Sequence, residues 1–180
     1  AVRGSMGAMV LAASRVYGEP MADGSLHPKL LEVLAKTWEI MLDSLEEEPD
    51  RIVVARSCNG IATMLGWGGR QLLQPENELV PRLCERLIIL LNKKALCQEA
   101  DSEDEDEEDD DDDDDHDEQL IDCVTECASA VAKCFGSEFG DYLPSFLEAF
   151  TAYCREHRPP LDRSMGIGAI AELLQTAGAS

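Results

Sequence analysis

The 180-residue sequence predicts an all-α fold: a solenoid fragment of about three helical hairpins behind a leading half-repeat, with a long acidic loop inside the second hairpin. Three observations carry this. A proline-led amphipathic pattern recurs three times, a small-residue pattern follows each copy, and nothing in the chain suggests strands. The first pattern reads Leu26-His27-Pro28-Lys29-Leu30-Leu31-Glu32-Val33-Leu34, then Leu79-Val80-Pro81-Arg82-Leu83-Cys84-Glu85-Arg86-Leu87, then Tyr142-Leu143-Pro144-Ser145-Phe146-Leu147-Glu148-Ala149-Phe150. Proline is tolerated in a first helical turn, where no intrahelical donor is lost, and the apolar residues that follow at i, i+1 and i+4 supply one packing face. The second pattern covers Gly60–Gly66, Ala130–Gly136 and Ala169–Leu174; its small residues let paired backbones approach, and Gly66 and Gly136 suit helix C-caps.

The proline spacings are 53 and 63 residues. Removing an insertion of about 20 residues brings the second near the roughly 40–47 of a HEAT-type unit, and the excess in the first falls in the glycine-rich link Gly66–Pro75. The expected layout is a half-repeat helix over 1–17 and repeats over 26–66, 78–136 and 140–177, the second interrupted by an acidic loop over 99–118. Gly4-Ser5-Met6 has the form of a tag scar, and the N-terminal stretch AVRGSMGAMVLAAS lacks the basic segment, sustained apolar core and cleavage site of a signal peptide. In the second repeat the outer helix is expected to reach about Cys97 and the inner one to begin near Gln119. Each hairpin buries its apolar faces only against its neighbours, so the chain reads as a piece of a longer stack with apolar ends.

The acidic run is DSEDEDEEDDDDDDDHDE, in which only Ser102 and His116 are not carboxylates. It offers nothing apolar to bury and repels itself, so it is expected to be a solvated strap tethered at both ends. Its sixteen carboxylates are Asp101, Glu103, Asp104, Glu105, Asp106, Glu107, Glu108, Asp109, Asp110, Asp111, Asp112, Asp113, Asp114, Asp115, Asp117 and Glu118. The formal net charge is −22; without the run, 21 acidic residues stand against 15 basic ones, a net of −6. Charge so concentrated selects basic protein partners and argues against direct binding to nucleic acid or to an anionic membrane. Association with a polycation relieves the run's own repulsion and should fade with salt.

At Leu90–Gln98 (LLNKKALCQ), the acidic run, FGSEFGDYLPSFLEAF and GIGAIAEL, the sequence resembles the importin beta (karyopherin) family of nuclear transport receptors, most closely its importin-4 subgroup. The resemblance covers Leu79 to the end; the first third matches only as generic repeat. It implies a HEAT superhelix that binds basic cargo such as histones and ribosomal proteins on its inner helices, releases it to the GTP-loaded Ran GTPase, and contacts phenylalanine-glycine nucleoporins on its outer helices. It also implies a receptor shuttling between cytoplasm and nucleus. A non-transport HEAT scaffold for a protein complex is the alternative reading.

The remaining motifs favour plain roles. Seven cysteines, an odd number on helical positions, read as reduced thiols. Cys123, Cys127 and Cys134 share a helical face, but Cys134 lies about 10 Å beyond Cys127, too far for one zinc, so they read as small buried hydrophobes. The acidic run lacks the glycine turn of an EF-hand calcium loop. No phosphate loop, HExxH or nucleophile elbow is present, and Cys84, or Cys154 with His157, has no orienting third group in sequence, so no catalytic activity, cofactor or metal is expected. Trp38 reads as core or outer groove and Trp67, between glycines, as partly exposed. Arg51, Arg56, Asn59 and Thr63 are expected to form an inner-face row that Arg163 and Glu172 continue.

Overall fold

The computed structural model describes residues 15–16, 21, 25–72, 79–99 and 110–178. Among them every regular element is helical: α1 (Pro28–Glu47), α2 (Arg51–Gly68), α3 (Leu79–Leu91), the single turn α4 (Leu96–Glu99), α5 (Asp110–Phe135), α6 (Leu143–Tyr153) and α7 (Pro160–Gly178). Of the leading helix expected over 1–17, only Arg15 and Val16, both helical, are among the described residues, as is none of the run from Asp101 to Asp109. No described helix is long and apolar enough to cross a membrane.

Local chemistry starts the helices where the patterns place them. Pro28 occupies the first turn of α1, and His27 caps it by accepting the Lys29 amide on Nδ1 at 3.2 Å. Asp50 caps α2, its Oδ1 accepting the Ile52 amide at 2.8 Å. Pro144 lies in the first turn of α6. Gly66 does not end α2, which continues to Gly68; the cap is Gly69, at φ 50°, whose amide donates to the Leu65 carbonyl. Gly136, at φ 52°, follows the end of α5 as the sequence suggests.

Long-range contacts give the layers. Ser57 on α2 bonds Ser44 on α1 at 3.1 Å, and Gln71, just beyond α2, holds the Leu26 amide at 2.9 Å, so α1 and α2 form an antiparallel hairpin. On α2 and α5 the contacts step along both chains together: Arg51 faces Asp117, Cys58 adjoins Cys123 and Cys127, and the Leu65 carbonyl meets Cys134. The two helices therefore run parallel. Thr125 to Met165 and Lys133 to Glu172 set α7 parallel to α5 in the same way. The result is two layers: α2, α5 and α7 in one, the expected inner layer, and α1, α3 and α6 in the other, the expected outer layer. The outer layer keeps the proline register only in part. Tyr153 Oη donates to the Leu91 carbonyl at 2.7 Å across 62 residues, close to the Pro81–Pro144 spacing of 63. Arg82, however, reaches Asp43 and Glu46, so the start of α3 lies beside the second half of α1 and Pro81 does not stand beside Pro28.

One core runs through both layers, with Trp38, Phe139, Phe146 and Phe150 as its largest fully buried side chains. Trp38 is core; Trp67, at the end of α2, is 39% exposed. The small residues act at identifiable places. A β-carbon on Gly166 of α7 would stand 3.0 Å from the Phe150 carbonyl oxygen and 3.1 Å from Tyr153 Cβ on α6, whereas one on Gly168 would meet nothing within 4 Å. Gly166→Ala should therefore lower stability by about 1–3 kcal/mol through overpacking, and Gly168→Ala should raise it by up to about 1 kcal/mol through helix propensity. Urea unfolding of the two variants, two residues apart on one helix, checks both signs.

Candidate functional site

The acidic run enters the fold through α5. Residues Asp110–Glu118, expected as strap, are the first nine residues of that helix, so the inner helix of the second hairpin begins two turns before Gln119. Two effects outweigh the repulsion there: carboxylates are favoured at the positive end of the helix dipole, and the helix is already templated by its buried residues Leu120, Ile121 and Val124.

A clamp sets the foot of the run. Lys93 Nζ pairs with Asp117 Oδ2. Asp117 Oδ1 lies 3.8 Å from Arg51 Nε, too long for a hydrogen bond, and is otherwise buried without a hydrogen-bond partner. The same Nε donates to the Cys97 carbonyl at 3.0 Å, so one guanidinium ties α4, where the insertion leaves, to α5, where it returns. Lys93 is placed by an unusual backbone. The outer helix does not continue to Cys97: α3 ends at Leu91 in a cap where the Lys94 amide bonds the Ile89 carbonyl and the Lys93 amide bonds that of Leu90. This arrangement requires a left-handed residue, usually glycine, and here Lys93 takes it at φ 54°. Gln98 closes the turn, donating to the Leu90 carbonyl at 3.2 Å and accepting the Ala95 amide at 3.3 Å.

Below the clamp, the exposed face of α5 carries Glu118, Asp122 and Glu126 at four-residue steps, a line of carboxylates continuing the acidic run down the inner layer. Asp122 and Glu126 form one side of a groove of about 370 Å³ that Thr63 of α2 and Glu172 of α7 also line. Its floor is small: Ala62, Ser129 and Ala130. Ser129 is 2% exposed and its hydroxyl has no partner. Lys133 closes the far end, bonded to Glu172 at 2.9 Å.

The expected inner-face row is realised in part. Arg56, Asn59 and Thr63 are exposed along one side of α2, with Asn59 hydrogen-bonded to Cys123. Thr63 and Glu172 both line the groove. Arg51 does not belong to the row: five residues before Arg56 is about 140° around the helix, and its side chain, 11% exposed, is committed to the clamp. Arg163 does not continue it either, since nine residues place it half a turn from Glu172, half-buried with its Nε unpartnered. Lys93, Asp122, Glu126 and Lys133 were not among the expected site residues; the four-residue steps from Glu118 point to Asp122 and Glu126 and the Lys93-Lys94 pair beside the run to Lys93, whereas no sequence signal marks Lys133.

The cysteines line the seam between α2 and α5 and its surroundings. Cys58, Cys84, Cys97, Cys123 and Cys127 are buried, Cys134 and Cys154 half-buried, and all seven are free thiols. Burial pushes the Cys84 thiol up to about 12 and those of Cys58 and Cys127 well above the usual range. Among the described residues no three His, Cys, Asp or Glu side chains are grouped to hold a metal.

Ellman's reagent at pH 8 should label two thiols of the native chain readily and the other five only on unfolding. Arg51→Ala should cost about 1–3 kcal/mol by leaving the Cys97 carbonyl and Asp117 without it, read by urea unfolding. Lys93→Gly should be more stable than Lys93→Ala by about 1 kcal/mol, because both lose the ion pair and only glycine relieves the left-handed backbone.

Compared with protein-family models, the chain matches none, and no curated protein matches it.

Proposed function

We propose that the chain is a segment of a HEAT-repeat nuclear import receptor of the importin beta family, importin-4-like, whose inner layer and acidic insertion hold basic cargo. The observation that carries this is the line of exposed carboxylates Glu118, Asp122 and Glu126, which follows the acidic insertion directly in sequence and leads into the groove beside Glu172. A lysine- or arginine-rich segment laid along that line would meet carboxylates at steps of about 6 Å, near the span of two residues of extended chain. The parallel inner helices and parallel outer helices, each inner one antiparallel to its hairpin partner, are the arrangement expected of stacked HEAT units. The in-layer steps of 39 and 40 residues between contacting side chains of α5 and α7 agree with the HEAT period.

The mechanism is electrostatic. The insertion collects cationic segments at long range, and the ordered line on α5 gives them register. The clamp at Asp117 fixes the start of the packed part of α5, with Glu118 exposed at the head of the line. Release follows when a competitor, the GTP-loaded Ran GTPase in this reading, takes the inner surface of the whole receptor. Histones and ribosomal proteins are the implied cargo, phenylalanine-glycine nucleoporins the implied outer-face partners, and nucleus and cytoplasm the implied compartments.

Fluorescence anisotropy with a labelled lysine-rich histone-tail peptide tests the reading. The triple variant Glu118→Gln, Asp122→Asn, Glu126→Gln should bind roughly ten-fold more weakly, and raising salt from about 50 to 200 mM should weaken the unaltered chain in the same direction. Binding indifferent to both changes sinks the proposal. Displacement of the peptide from the longer receptor by GTP-loaded Ran separates a transport receptor from a HEAT scaffold.

A further inference from the structure

A second concavity lies at the edge of the inner layer from which the acidic run departs, between α5 and α7 and beside the end of α6. Its volume is about 260 Å³, below the roughly 300–1,000 Å³ of small-molecule pockets and suited to a single side chain. Its lining is mixed, with an apolar part made by Ile121, buried on α5, and by Leu161 and Met165 of α7. Leu161, 60% exposed, lies next to this apolar part of the hollow. Its rim is acidic, formed by Glu118 and Asp122 on one side and Asp162 on the other. The two cations at the mouth are already engaged: Lys93 with Asp117, and Arg158 stacked 5.5 Å over the Tyr153 ring with Nη1 3.8 Å from Asp162. Six charged side chains line the hollow, four carboxylates and two cations, so it carries a net negative charge.

We infer that this hollow is an anchor site for one apolar side chain of the bound segment, a leucine, isoleucine, methionine or phenylalanine flanked by lysine or arginine. The inference rests on the basic-segment reading above and adds a sequence preference to it. Glu118 and Asp122 belong both to the rim and to the carboxylate line, so a peptide paired with that line passes directly over the hollow. A purely charged segment would leave Leu161 and Met165 wet; one with an apolar residue among its basic ones buries them and its own side chain together. Charge then brings the partner in, and the anchor selects among basic partners, with a contribution that salt does not screen.

Two labelled peptides of equal charge, alternating Lys and Ser, differ only in one central Ser replaced by Leu, and anisotropy compares their binding to the full chain. The leucine peptide should bind about ten-fold more tightly, and the ratio should persist at higher salt. Leu161→Ser should abolish the ratio, while Leu174→Ser, an exposed apolar residue elsewhere on α7, should leave it unchanged. Both positions are exposed, and thermal unfolding confirms that the variants fold. Equal binding of the two peptides, or a ratio that survives Leu161→Ser, overturns the anchor while leaving the basic-segment reading intact. Failure of both peptides to bind removes the basic-segment reading and the anchor with it.

Discussion

The parallel seam between α2 and α5 is the constraint on which the molecule depends. Cys58 fits beside Cys123 and Cys127, Asn59 bonds Cys123, and Cys134 meets the Leu65 carbonyl. All of these contacts share one register. That register brings Arg51, at the start of α2, level with Asp117, and Ala62 and Thr63 level with Glu126 and Ser129. A slip of one turn, about 5.4 Å, would uncouple the clamp and fill or open the groove. Small side chains make the close approach possible, and their burial keeps the thiols protonated and chemically quiet.

Charge and burial are divided between the two sides of α5. Leu120, Val124, Cys127 and Val131 face the core and carry no charge, while Glu118, Asp122, Glu126 and Lys133 face outward. The helix therefore transmits the character of the insertion into the ordered body without burying an unpaired charge along its length. The exception is Asp117, held at the boundary where the exposed run becomes a packed helix. Its Oδ1 is buried, and a buried carboxylate oxygen is tolerated only with compensating charge nearby; Arg51 and Lys93 provide it. The left-handed backbone at Lys93 is part of the same solution. Strain of about 1 kcal/mol at one residue is offset by an ion pair and by the turn that starts the insertion.

Much of the fold was legible because its elements announce themselves locally. Prolines in first turns, apolar steps of three and four residues and polar caps are properties of short windows, and Pro28, Asp50 and Pro144 are used as their types require. The acidity of the run was legible, but the helical start of its second half, Asp110–Glu118, was not. Composition alone treats Asp110–Glu118, eight carboxylates and a histidine, as unfoldable, whereas the helix behind them supplies a template and a dipole that favour the carboxylates. Arg51 was misplaced for a similar reason: spacing along one helix says nothing about which neighbour will claim a side chain.

By itself, then, the sequence determined the helical class, the hairpin order and the strong acidity of one insertion, because periodicity and charge density are local quantities. Tertiary structure alone decided the stagger of α1 against α3, the register of α2 on α5, the clamp at Asp117 and the hollow beside Leu161. Each of these depends on residues from 24 to 72 positions apart coming together in space. Such meetings are set by the packing of whole faces, whose shape no single window of the chain contains.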